Sequence, residues 1–134
     1  MFSSRAHFTD DTVLTFACAE AFLHGKNMAD NLWMCANQHH HAGYGHRFKE
    51  WMQSHDHLPY GSMGNGSAMR CCSAGWLART EEECIDLATL TAAPTHSHPE
   101  GINGAVATAL AIFYLKNGMD SEYVCSHVLD KYCS

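Results

Sequence analysis

Apolar residues recur at helical spacing along almost the whole chain. Val13, Phe16, Ala17, Ala19, Ala21, Phe22 and Leu23 make one broad apolar face, which Gly25 ends. Leu32, Trp33 and Cys35 predict a second helix starting near Asp30, and Phe48, Trp51 and Met52 a third that ends before Pro59. A fourth runs from Ala68-Met69-Arg70 through Trp76 and Leu77. Thr80 and Glu83 have the spacing of a capping box for a fifth, Glu81 to about Ala93. A sixth spans about Ile102 to Lys116, stopped by Gly118, and a seventh runs from Ser121 to about Tyr132 behind Asp120. Strand-like alternation is absent. The pattern predicts an all-α domain of about seven helices, interrupted by two polar loops, 61–67 and 95–98.

Composition fits one domain, 1–134, with a real core: 46% of residues are hydrophobic and only 16% charged. The net charge of -6 and the lack of a basic stripe argue against a nucleic-acid partner. No apolar run approaches the ~20 residues needed to cross a bilayer, and Met1-Phe2-Ser3-Ser4-Arg5 has no apolar signal core. A cytoplasmic protein is expected. The 7 cysteines are then expected to be reduced and mostly buried as small apolar groups. Of the 11 histidines, His39 stands four residues from Cys35, the spacing of a zinc pair on a helix, but no second pair accompanies it. The other histidines are expected to be solvated or satisfied within the core.

Three segments carry candidate chemistry. In Phe8-Thr9-Asp10-Asp11-Thr12-Val13, two carboxylates and a hydroxyl stand at the start of the first helix. They read either as half of a Mg²⁺ or Mn²⁺ site or as a Thr9 cap followed by acids facing the helix dipole. Gly61-Ser62-Met63-Gly64-Asn65-Gly66-Ser67 has neither the Walker pattern nor a preceding strand. It reads as an anion cradle with close backbone approach, or as a tight turn whose left-handed residues are Asn65-Gly66. Thr95-His96-Ser97-His98-Pro99-Glu100-Gly101 sets a histidine on a proline-flanked loop, as a ligand donor or a structural group.

In this order and spacing the three segments resemble the ADP-ribosylglycohydrolase family, in its bacterial, dinitrogenase-reductase-activating glycohydrolase-like branch. The carrying residues extend from Phe8 to Thr15, from Tyr60 through Arg70, and from Thr95 through Ala105, with Ala42-Gly43-Tyr44-Gly45 and Phe48-Lys49-Glu50-Trp51 between them. The resemblance implies a compact orthogonal helical fold that binds ADP-ribose or an ADP-ribosylated protein. It also implies hydrolysis of the N- or O-glycosidic bond between the terminal ribose and a protein side chain. Carried over, Thr9, Asp10 and Asp11 are Mg²⁺ (or Mn²⁺) ligands, with Asp10 and Asp11 also the catalytic carboxylates. Ser62, Met63, Gly64, Asn65 and Gly66 line the diphosphate and ribose, and His96 contacts phosphate.

The chain departs from the family pattern in two respects. Family members begin with an earlier helix carrying Gly-Asp and end with an Asp-x-Asp-Ser/Thr motif that completes the metal centre, whereas no Asp-x-Asp pair occurs here. The expectation is the N-terminal half of the family fold, truncated at both ends, with weakly bound metal. Uncovered apolar faces then predict self-association into a homo-oligomer. A non-catalytic binder of ADP-ribose or a related nucleotide, or a degenerate fragment, is the alternative to an enzyme.

Overall fold

Each helical stretch predicted from periodicity is present in the computed structural model, which describes residues 6–132. The N-terminal pentapeptide read for a signal core, and Cys133, lie outside the described residues. The first helix, α1 (Asp10–His24), has acids in its first turn and ends on Gly25, whose left-handed backbone returns its N–H to the Ala21 carbonyl. Next, α2 (Met28–Gln38) starts before Asp30 because the Asn27 side chain accepts the Asp30 N–H at 3.1 Å and caps it there. A short α3 (His46–Gln53) buries Phe48, Trp51 and Met52 on one face.

The fourth predicted helix is two, α4 (Gly66–Arg70) and α5 (Cys72–Leu77). The break falls at Cys71, with φ -84° and ψ 0°, and its buried sulfur lies 3.2 Å from the Ala68 carbonyl and 3.3 Å from that of Ala105. The break turns Arg70 beneath the following helix, α6 (Glu81–Ala92). There the capping box is half made: Thr80 accepts the Glu83 N–H, while the Glu83 carboxylate takes the Arg79 N–H and guanidinium. The long α7 (Pro99–Lys116) starts three residues earlier than periodicity predicts. His98 Nδ1 accepts the Glu100 N–H, and Pro99, which lacks an amide, opens the helix without loss. The last stretch is α8 (Ser121–Val124), a π-helical turn at Cys125–Leu129, and α9 (Asp130–Tyr132). In the turn His127 stacks on Tyr123 with ring centroids 3.7 Å apart.

The helices bury two apolar clusters. One gathers Ala74, Cys84, Ala88, Val106, Leu110 and Val124 around α7; the other gathers Leu14, Cys18, Leu32, Phe48, Trp51 and Met52 from α1, α2 and α3. At the first, Gly75 lets α5 press onto α7, where a Cβ would stand 2.5 Å from the Ala109 carbonyl oxygen. No described cysteine is disulfide-bonded, and burial pushes the thiols of Cys18 and Cys71 up to about 12 and Cys84 to about 11. Cys125 departs from the buried pattern: it is exposed, on the outer side of the π-turn. Among the described residues there is no strand, and no helix is long and apolar enough to cross a membrane.

Candidate functional site

Beside the cluster of α1 to α3 lies a cleft of about 440 Å³, and the three motif segments meet there. Its lining includes Asp10 and Leu14 of α1, Ser62, Met63, Gly64, Asn65 and Gly66 of the loop before α4, and Thr95 and His96 between α6 and α7. Arg47, Phe48 and Tyr60 close one side.

Asp10 is placed by its backbone, whose N–H donates to the Ala42 carbonyl at 2.8 Å. Partial burial raises its pKa, and the neighbouring Asp11 raises it further. Thr9 holds the N-cap position, yet its hydroxyl caps nothing; it donates to Asp11 Oδ2 at 3.3 Å. Asp11 itself is exposed and, like Thr9, is outside the cleft lining. The Tyr44 phenol, 3% exposed, has no hydrogen-bond partner among the described residues. Its pKa is pushed up to about 12, by burial first and then by the charge of Asp10.

The glycine loop owes its shape to contacts on one side. Ser62 N–H donates to the Thr95 carbonyl at 3.0 Å, the Ser67 hydroxyl to the Gly101 carbonyl at 2.5 Å, and His96 Nε2 meets the Gly64 carbonyl at 3.0 Å. The left-handed position is Gly61, at φ +62°, and not Asn65-Gly66, since Asn65 has φ -74°. Gly101 is where closeness is obligatory: a Cβ there would lie 2.6 Å from the Ser62 carbonyl oxygen and 2.8 Å from His96 Cδ2. Asn65 is exposed at the cleft.

His96 is 1% exposed, with both ring nitrogens engaged. Nδ1 lies 2.7 Å from Thr95 Oγ1, which in turn accepts from Arg70 Nη2 at 2.8 Å. Burial lowers the His96 pKa, and the Arg70 charge lowers it further. Arg70 is fully buried and enters none of the ion pairs among the described residues. Its guanidinium donates to the Thr91 carbonyl at 2.8 Å and the Ala92 carbonyl at 3.4 Å, at the negative end of the α6 dipole. Arg47 donates to the Tyr60 carbonyl and lies over the Tyr60 ring.

Arg70, Thr95, Tyr44 and Tyr60 stand in segments that carry the family resemblance but were given no role in the site from sequence, and Arg47 was not singled out at all. For Arg70 a signal exists: it is the one charged residue between Gly61 and Ala78. A lone charge in an apolar helical run has to be buried against acceptors.

As donors for a hard cation, Asp10, Asp11 and Thr9 have the right oxygen chemistry. Among the described residues, no group of three or more His, Cys, Asp and Glu side chains is placed to hold a metal. Cys35 contacts Glu20 at 3.8 Å and forms no such group with His39.

The fold is all-helical among the described residues, and its cleft is glycine-lined, backed by the buried Arg70 and edged by the acidic start of α1. The sequence profile of the ADP-ribosylglycohydrolase family matches residues 1–133, and the chain belongs to that family.

Proposed function

We propose that the cleft binds ADP-ribose and that the chain hydrolyses the glycosidic bond joining its terminal ribose to a protein side chain. The convergence of Asp10, the 62–66 loop and His96 on one cleft of about 440 Å³ carries this reading. That volume suits a ligand of nucleotide size. Ser62, Gly64, Asn65 and Gly66 would receive the diphosphate and ribose along the loop. His96, whose nitrogens are engaged on Thr95 and Gly64, would hold the loop instead of touching phosphate directly. Asp10 would face the ribose end, where its raised pKa suits a carboxylate that takes a proton from water. Asp10, Asp11 and Thr9 would hold Mg²⁺ from one side with water completing the shell. When bound, such an ion supplies orientation of the ribose diol and a more acidic water.

Calorimetry with ADP-ribose, with and without Mg²⁺, joined to an assay of ADP-ribose release from ADP-ribosyl-arginine, tests the proposal. Metal-dependent binding with turnover, reduced roughly 100-fold or more by Asp10→Asn, is the expected result. A second reading, a non-catalytic ADP-ribose binder, is favoured by one observation: Asp11 is exposed and, among the described residues, the carboxylates form no larger ligand group. Binding that survives Asp10→Ala, with no turnover by the wild type, would select it.

A further inference from the structure

The chain Arg70–Thr95–His96–Gly64 runs from the buried floor of the cleft to the surface of the glycine loop, and its hydrogen bonds admit one arrangement at neutral pH. A carbonyl only accepts, so His96 Nε2 carries the proton at Gly64. The neutral ring then has an acceptor at Nδ1, which takes the Thr95 hydroxyl proton. The Thr95 oxygen is left to accept from Arg70. Every described peptide bond is trans, so a Gly64 carbonyl pointing at His96 turns the Asn65 N–H the opposite way. That N–H has no acceptor among the described residues. Its own residue and Gly64 both line the cleft.

We propose that Thr95 and His96 are positioning residues, which fix the Gly64–Asn65 peptide so that its amide is presented to an anionic ligand, with Arg70 as the buried anchor of the relay. The idea rests on the reading of the cleft as an ADP-ribose site for its affinity consequence, and on the hydrogen-bond geometry alone for its tautomer. Arg70 suits the anchor role because, among the described residues, its hydrogen-bond partners are all neutral acceptors. Its charge is thus left to oppose protonation of His96 and to favour an anion in the cleft. Ser62 and Ser67 hold the two ends of the loop through their own bonds. The relay therefore controls the peptide at the middle of the loop.

The test compares wild type, Thr95→Val and Thr95→Ser. Valine keeps the shape and removes the hydroxyl; serine restores it. Calorimetry reads affinity for ADP-ribose, and ¹⁵N NMR reads the His96 tautomer, its signals assigned by their loss in His96→Gln. The expected result is a neutral His96 with the proton on Nε2 in wild type and in Thr95→Ser. In Thr95→Val the Gly64 carbonyl still holds the Nε2 proton, but Nδ1 loses its donor and its ¹⁵N signal moves toward that of an acceptor without a hydrogen bond. ADP-ribose binding weakens roughly tenfold in Thr95→Val, while Thr95→Ser stays within about threefold of wild type. Thr95→Val with wild-type affinity would overturn the proposal. So would a wild-type His96 protonated on Nδ1 or titrating at the ordinary histidine value. If Thr95→Val does not fold, the tautomer in wild type and Thr95→Ser decides. If wild type binds no ADP-ribose, the reading of the cleft fails, and the same NMR comparison still decides the relay.

Discussion

Asp10 sits half-buried at the start of α1 with Asp11 beside it, and both conditions raise its pKa, burial the more. A carboxyl whose folded pKa is raised adds stability below its unfolded value of 3.8 and loses it as pH rises through the folded value. At neutral pH the ionised Asp10 therefore works against the fold. Asp10→Asn is expected to stabilise the protein at pH 7 by on the order of 0.5 kcal/mol, the scale of a partly solvated like-charge pair. The gain should vanish below about pH 3.5, where the wild-type carboxyl is protonated. Urea unfolding at the two pH values checks it. If Asp10 holds a cation, Mg²⁺ should raise the stability of wild type and leave Asp10→Asn unmoved. At this scale the sequence displayed the acids, the glycines and His96, because residue type alone marks them. It hid which of them face the cleft: Asp10 and Asp11 are adjacent letters, but successive helical positions diverge by about 100° around the axis. Nor could spacing show that the His96 nitrogens are both engaged, since the Gly64 carbonyl that meets Nε2 lies 32 positions away in the chain.

Between elements, two glycines set distances that no other residue allows, with opposite consequences for the cleft. Gly75 sits where α5 meets α7, and a Cβ there would lie 2.5 Å from the Ala109 carbonyl and 2.8 Å from Ile112 Cβ. Gly101 sits where the first turn of α7 meets the glycine loop, against Ser62 and His96. Alanine at either position overpacks and should cost about 1–3 kcal/mol in unfolding free energy. Only Gly101→Ala displaces the cradle. It is expected to weaken ADP-ribose binding roughly tenfold or more at a temperature where it is fully folded, while Gly75→Ala binds like wild type. Equal losses in the two variants would mean that the contact between α7 and the loop does not shape the site. Periodicity gave the helices here but not their joints. The break at Cys71, the cap at His98 and the π-turn each depend on one or two side-chain bonds that leave the apolar spacing unchanged.

Across the whole molecule the cleft is walled by the first apolar cluster, that of α1 to α3, on one side and by the loop tied to the end of α6 on the other. Leu14 and Phe48 belong to the cluster of α1 to α3, and both line the cleft. Thr95 and His96, tethered to the end of α6, line the facing wall. The short α4 joins the sides: its Met69 packs on the first cluster and accepts the Thr15 hydroxyl bond, while Ser67 and Arg70 reach Gly101 and Thr91. No pattern of spacing in the chain states which helix packs on which, so this division could not be read before the structure. It makes a mechanical prediction. A ligand that spans the cleft would touch both the first cluster and the 95–96 loop tied to α6, and would favour their docked arrangement. Trp33 and Trp51 lie at tilted angles around His57 beside the first cluster. In a Trp76→Phe background, which removes the tryptophan of α5, fluorescence therefore reports chiefly on that side, whereas far-UV circular dichroism averages all helices. Without ligand the two probes should diverge if the clusters melt separately, and coincide if α4 couples them. ADP-ribose at about 100 times its dissociation constant should add about 2.7 kcal/mol to the folded state and bring the two curves together. A shift seen by fluorescence alone would place the ligand on the first cluster and not across the cleft.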